Sequence, residues 1–254
     1  MYNHNEHKNM KPNTNAFKTK DMQRRSAWQT YRHLCFGDVS LGRAIRTEST
    51  TFIFGSMPGA AGLAMRKFLY PALFSQTGGK TIFGRNLTLR HPHKIQLGSN
   101  VIIDDGVVLD AKGNSNAGIS VGDNAYIGRN TIIYTKNGNI RIGDNVNISS
   151  NCQIFSSGDL EIGDGTMIAA FCYLLNGGVY DTSRDALPFS QQSGTISKGP
   201  TCIGANSWIA AHSTITDGVN LGEHCVVGAN SVVLQDLPAH TLSAGTPARV
   251  IRTL

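Results

Sequence analysis

No run of eighteen or more apolar residues occurs anywhere in the 254-residue sequence, so a membrane-spanning helix is not expected. The opening MYNHNEHKNMKPNTN has neither the basic start nor the apolar stretch of a secretory leader. A cytoplasmic protein is the expectation, with the inner face of the membrane as a place of contact. The cysteines are five, an odd number, with no CxxC spacing. That pattern suggests neither a disulfide framework nor a zinc site, so the thiols are expected reduced and no metal is expected. Nucleic-acid-binding motifs are missing as well. Histidine, the side chain that titrates nearest neutral pH, is absent between positions 94 and 211.

Charge is present but unevenly placed. Residues 1–90 carry 14 Lys and Arg against 4 Asp and Glu, while residues 91–254 carry 9 against 13. The basic end is therefore the N-terminal third, and it points to an anionic partner such as a membrane surface or a phosphate-bearing substrate.

The strongest signal is a repeat. Aliphatic residues recur every six positions in six triplets: Leu97, Ile103, Leu109; Val121, Ile127, Ile133; Ile142, Ile148, Ile154; Ile162, Ile168, Leu174; Ile203, Ile209, Ile215; Leu221, Val227, Val233. The steps between triplets are 12, 9, 8, 29 and 6 residues, so insertions fall only after a third repeat. A period of six suits neither a helix nor simple alternation. It suits a parallel β-helix of about six 18-residue coils, each made of three short strands, with coils stacking at roughly 4.8 Å. Three residues after the aliphatic positions stand Asn100, Gly106, Asn124, Asn130, Asn145, Asn151, Gly165, Asn206, Gly218 and Asn230, with Phe171, His212, His224 and Asp236. Gly and Asn adopt positive φ most cheaply, so this column predicts left-handed corners. Cys152 and Cys172 occupy equivalent places in successive coils and are expected to stack as buried thiols.

Residues 1–20 read as a disordered tail and 21–85 as a helical, basic region, leaving the β-helix to begin at about 86. KDMQRRSAWQTYRHLCFG has helical spacing, and MPGAAGLAMRKFLYPALF offers a second helix with Pro58 in its first turn. These helices would cap the open end of the first coil. They could also lie on an anionic membrane with Arg66 and Lys67 outward.

The stretches VGDNAYIGRN, IGDNVNISSN and IGANSWIAAHSTITDGVNLGEHCVVGANSVVLQDLPAHTLSAGTPARVI resemble the hexapeptide-repeat acyltransferases. The segment from VVGANSVV to the end of that stretch is similar to the C-terminal signature of their sugar O-acetyltransferase branch. The resemblance covers about residues 55–254. It implies a left-handed parallel β-helix, acetyl-CoA as co-substrate with no tightly bound cofactor, and a homotrimer with sites between adjacent prisms. The implied acceptor is a polysaccharide or lipid-linked saccharide precursor.

In such enzymes a long corner loop supplies a histidine base in a stretch like CYLxGGGH followed by Asp. Here the loop, expected at 175–202, reads CYLLNGGVYD, and Val179 stands at the histidine position. Asp181 and His212 are the substitute bases, with His224 a weaker one; His91 and His93, in LRHPHKI, read as packing residues beside Pro92. A solvated Asp with a pKa of about 3.9 is a poor base unless its site raises it, and His212 has the better chemistry but sits in a corner column. The resemblance places CoA along Trp208, Ala210, Ala211, Gly228 and Ala229, with Lys198, Arg249 and Arg252 facing its phosphates. Three readings remain open: an O-acetyltransferase; a catalytically impaired homologue acting as a binding or scaffolding subunit of surface polysaccharide assembly; or an enzyme whose acceptor is an amino sugar, whose deprotonated amine needs less help from a base.

Overall fold

The structure, a computed structural model, describes residues 26–254; the expected tail at 1–20 lies outside them. Strands of two to four residues wind into a three-sided prism. Each side is a sheet whose coil strands pair in parallel with their counterparts one coil away. The first face runs from Gln76–Thr77 to Asn220–Leu221, the second from Ile82–Phe83 to Ala248–Thr253, and the third from Thr88–Arg90 to Val232–Val233. All eighteen repeat positions lie inside and are at most 4% exposed. Six-residue spacing thus places one aliphatic side chain per face per coil on the axis, where each stacks on the next.

Seven full coils are present, one more than the repeat suggests, and the prism begins at Gln76, ten residues before the expected boundary. The additional coil pairs Thr77 with Leu97, Phe83 with Ile103 and Leu89 with Leu109. Its spacing is also six, but Thr and Phe replace two of the aliphatic residues and hide the period. At the other end the chain leaves the coil after Val233. Thr241–Gly245 adds to the second face, and Ala248–Thr253 returns antiparallel to it.

Thirteen of the fourteen expected corner residues have positive φ, Phe171 included. Asp236 does not; its carboxylate accepts the Asn220 N–H at 2.8 Å, where the regular coil has ended. Cys152 and Cys172 are buried free thiols, each donating to a carbonyl of the neighbouring coil, Ala169 at 3.1 Å and Ala210 at 3.2 Å.

The N-terminal region holds three helices: α1 (Ala27–Cys35), α2 (Leu41–Phe54) and α3 (Gly59–Leu69). Ser26 and Gln29 form a reciprocal capping box on α1. The unexpected α2 is rich in Thr, a poor helix former. Thr47 and Thr51 turn their hydroxyls back onto the carbonyls of Arg43 and Thr47 at 3.0 and 2.9 Å, which satisfies them inside the helix. Pro58 caps α3 from just outside rather than sitting in its first turn. Tyr70, Leu73 and Phe74, which follow α3, pack with Phe83 at the mouth of the first coil and cover its apolar end.

Arg66 does not face outward. It is 2% exposed and donates to the carbonyls of Phe83, Phe54 and Met57 at 3.0, 3.0 and 2.8 Å. One buried guanidinium therefore ties α2, α3 and the first coil together. Of the expected outward pair, Lys67 alone is exposed.

Candidate active site

Of the residues expected on the donor side, Trp208, Ala210, Gly228, Arg249 and Arg252 share one face, Ala211 and Ala229 stand at the corner beside it, and Lys198 lies on another edge. In the second sheet Trp208 pairs with Val226, Val226 with Leu242, and Leu242 with Arg252. Their side chains make a single outward row that begins at an indole 49% exposed and ends at a guanidinium. Two residues farther on, Ala210, Gly228 and Ala244 make a second row, which Arg249 extends by pairing with Ala244. Small residues are required there. A Cβ on Gly228 would lie 2.8 Å from the Ala244 Cβ, closer than carbon atoms pack.

Polar capacity along this wall is limited and specific. The Ala210 and Gly228 N–H groups are spent on coil stacking, to the carbonyls of Val227 and Ser243 at 2.9 and 2.8 Å. Those of Ala211 and Ala229 have no partner among the described residues. Arg249 and Arg252 are exposed. Their guanidiniums reach the carbonyls of Ala248 and Thr253, and neither pairs with a carboxylate among the described residues. A surface row of small residues and an indole, ending in two such cations, suits an extended ligand with phosphates at one end.

The long loop lies at a different edge. It spans residues 177–200, at the corner between the third and first faces, because the flanking strands Tyr173–Asn176 and Thr201–Ile203 are longer than expected. Its base is held by a buried carboxylate. Asp217, 7% exposed, accepts from the Gly177 N–H at 2.5 Å, the Ser197 hydroxyl at 2.7 Å and the Lys198 N–H at 2.7 Å. Beneath it the wholly buried Asn176 amide donates to the Gly199 carbonyl at 2.6 Å and to the Ser197 and Thr201 hydroxyls, each at 3.2 Å. Lys136 reaches up from a lower coil to the Ser193 carbonyl at 2.7 Å.

Val179 belongs to this scaffold: its N–H donates to the Ile196 carbonyl at 3.1 Å in an antiparallel bridge that closes the loop's stem. Asp181 accepts the Ser183 N–H at 2.8 Å, and its own backbone is clasped by the Gln192 side chain at 2.7 and 3.0 Å. Lys198 extends an exposed side chain from the loop's end.

The histidines are dispersed. His212 lies at the corner between the second and third faces, beside Ala210 and Ala211, and its ring stacks on Phe171. It and Asp181 therefore occupy different corners, and a single chain does not bring them together. His224 stacks on His240 at 5.0 Å at the corner between the first and second faces. His91 is 3% exposed; its N–H donates to the Cys35 carbonyl at 2.8 Å, and its Nδ1 lies 3.4 Å from Asp110 Oδ1. The base of His93 is pushed down to about 4, chiefly by burial and then by His91, Arg43 and Lys94. His91 ties α1 to the prism, its Nε2 lying 3.2 Å from the His33 carbonyl.

Residues 201–235, which carry the small-residue corner and His212, match the family model described as bacterial transferase hexapeptide (six repeats). That segment carries hexapeptide repeats of this kind. The chain is 40% identical over 116 residues to a Staphylococcus aureus (strain Mu50) protein provisionally named an acetyltransferase, covering 46% of this chain and 56% of that one. To the galactoside O-acetyltransferase of Escherichia coli (strain K12) it is 33% identical over 144 residues, 53% of this chain and 57% of the relative. The chain thus spans little more than half the length of these curated relatives. Its fold is shared with the UDP-N-acetylglucosamine acyltransferase of Campylobacter jejuni, at a TM-score of 0.54 and 19% identity over 70% of this chain and 63% of that one. At that identity the likeness concerns the fold alone.

Sequence reasoning passed over Asn176 and Asp217. A signal was available, since each stands two residues after an inward aliphatic position, Leu174 and Ile215.

Proposed function

We propose that the protein is an acetyl-CoA-dependent O-acetyltransferase acting on a sugar hydroxyl of a polysaccharide or lipid-linked saccharide precursor. The observation that carries the reading is the outward wall of Trp208, Ala210, Gly228 and Ala229 ending at Arg249 and Arg252. CoA would lie along it with its phosphates at the arginines, and Lys198 would add charge from the loop. The protein would act in the cytoplasm as a homotrimer, in which the 177–200 loop of one prism meets the His212 corner of the next.

In the reaction the acceptor oxygen attacks the thioester carbonyl, the C–S bond breaks, and the thiolate leaves. A base must take the hydroxyl proton, and N–H donors must meet the oxyanion. The unpaired Ala211 and Ala229 N–H groups are suited to the second task. His212 or Asp181 would perform the first, and a trimer supplies either from a neighbouring chain.

Val179 supports a second reading, a catalytically impaired homologue that binds or scaffolds, because a bridged valine accepts no proton. Val179→His separates the two. Acetyl transfer to oligosaccharide acceptors by the parent, abolished by His212→Ala or Asp181→Asn, supports the enzyme. Transfer by Val179→His alone identifies a degenerate enzyme, and transfer by neither variant nor parent rejects the catalytic reading.

A further inference from the structure

Helices α1 and α2 leave an apolar surface that the prism does not use. Trp28, Tyr31, Phe36, Ala44, Ile45 and Phe52 line a groove of about 280 Å³ between them. Phe52 is 85% exposed, Ile45 56% and Trp28 55%. A phenylalanine this exposed gains nothing for folding, so its cost in water is unexplained by the cap. Leu41 continues the same helical stripe at 52% exposure, four residues before Ile45. The groove's one carboxylate is Glu48, whose two oxygens accept the Tyr31 hydroxyl at 2.7 Å.

Charge selects the occupant. Lys18, Lys20, Arg24 and Arg25 immediately precede α1, and residues 1–90 carry ten more basic than acidic residues. A second copy of the chain would carry the same basic segment and gain no charge complementarity from it. A lipid surface rich in anionic headgroups would instead attract the cations while its acyl region receives Phe52, Ile45 and Trp28.

We infer that the α1–α2 face docks the protein on an anionic membrane surface, lying in the headgroup region without crossing it. Arg66 takes no part, being committed to the cap. The inference rests on the helices alone and is independent of acetyl transfer, so either can fail without the other.

The test is co-flotation of the full-length protein with phosphatidylglycerol–phosphatidylcholine vesicles at low and high salt, beside pure phosphatidylcholine vesicles. Binding is expected to anionic vesicles, to weaken with salt, and to be slight on neutral ones. Phe52→Glu should reduce it by about tenfold or more, the factor that follows from losing one buried aromatic side chain. Because Phe52 is solvent-exposed, its thermal unfolding midpoint should match the parent's. Arg24→Gln with Arg25→Gln should weaken binding to anionic vesicles and leave neutral ones unaffected. Failure to float at low salt overturns the inference. So does undiminished binding by Phe52→Glu, or a fall in oligomer mass on that substitution, which would make a second copy the occupant.

Discussion

Phe171 and His212, one coil apart on the same corner, stack with ring centroids 4.9 Å apart and planes 7° from parallel. Phe171 holds φ at 62°, where the coils before it use Asn130 and Asn151. A bulky residue there costs about 1–2 kcal/mol, and the stack returns about 0.5–1.5 kcal/mol of it. Phe171→Asn should therefore leave stability within about 1 kcal/mol of the parent. It should release the His212 ring, read as faster modification of that imidazole by diethyl pyrocarbonate. An unchanged modification rate would show that the stack does not hold the ring.

Arg66 anchors the cap through three carbonyls. Arg66→Met keeps much of the stem and removes every donor, so the carbonyls of Phe54, Met57 and Phe83 are left without it. A loss of about 3 kcal/mol or more is expected in chemical unfolding. A loss below about 1 kcal/mol would mean that α3 is held by Tyr70 and Leu73 alone.

Asp217 organises the loop rather than the core. Asp217→Ala deletes three acceptor contacts at the stem of residues 177–200. Limited proteolysis should then cut between 177 and 200 at least about tenfold faster, as local opening by about 1.4 kcal/mol requires. Cleavage at the parental rate would assign the stem to Asn176 and the Val179 bridge.

His93 makes the fold acid-sensitive. Its folded pKa, about 4, lies below the ordinary 6.5, so between these values the unfolded chain binds more protons and folding weakens as pH falls. Stability should drop from pH 6.5 toward 4, and His93→Gln should flatten that part of the curve measured by urea unfolding. An unaltered slope would place the sensitivity elsewhere.

The prism was legible because its signal is geometric. One aliphatic residue every six positions and an Asn or Gly three residues later leave few folds to choose from, and Phe171 keeps the positive φ of its column. The first coil escaped because Thr77 and Phe83 fill its inward places. Helix α2 escaped because Thr47 and Thr51 argue against a helix until their hydroxyls are seen on the preceding turn. For the site, the residues that the resemblance places along CoA could be listed from the sequence, but not that Trp208 and Arg252 end one row. That relation depends on the chain doubling back at 246–247, which no periodicity announces. The placement of His212 and Asp181 on separate corners was equally hidden, since the long insertion's direction is set by Asp217 and Asn176 rather than by its own composition.

The central claim, that this wall holds CoA, is tested most directly by calorimetric titration of the full-length protein with acetyl-CoA, with CoA as control and Arg249→Ala/Arg252→Ala beside the parent. Micromolar binding is expected, weakened by about tenfold or more in the double variant through the loss of two phosphate contacts, and reduced by added salt. No heat of binding in a folded parent, or parental affinity in the double variant, would contradict the account.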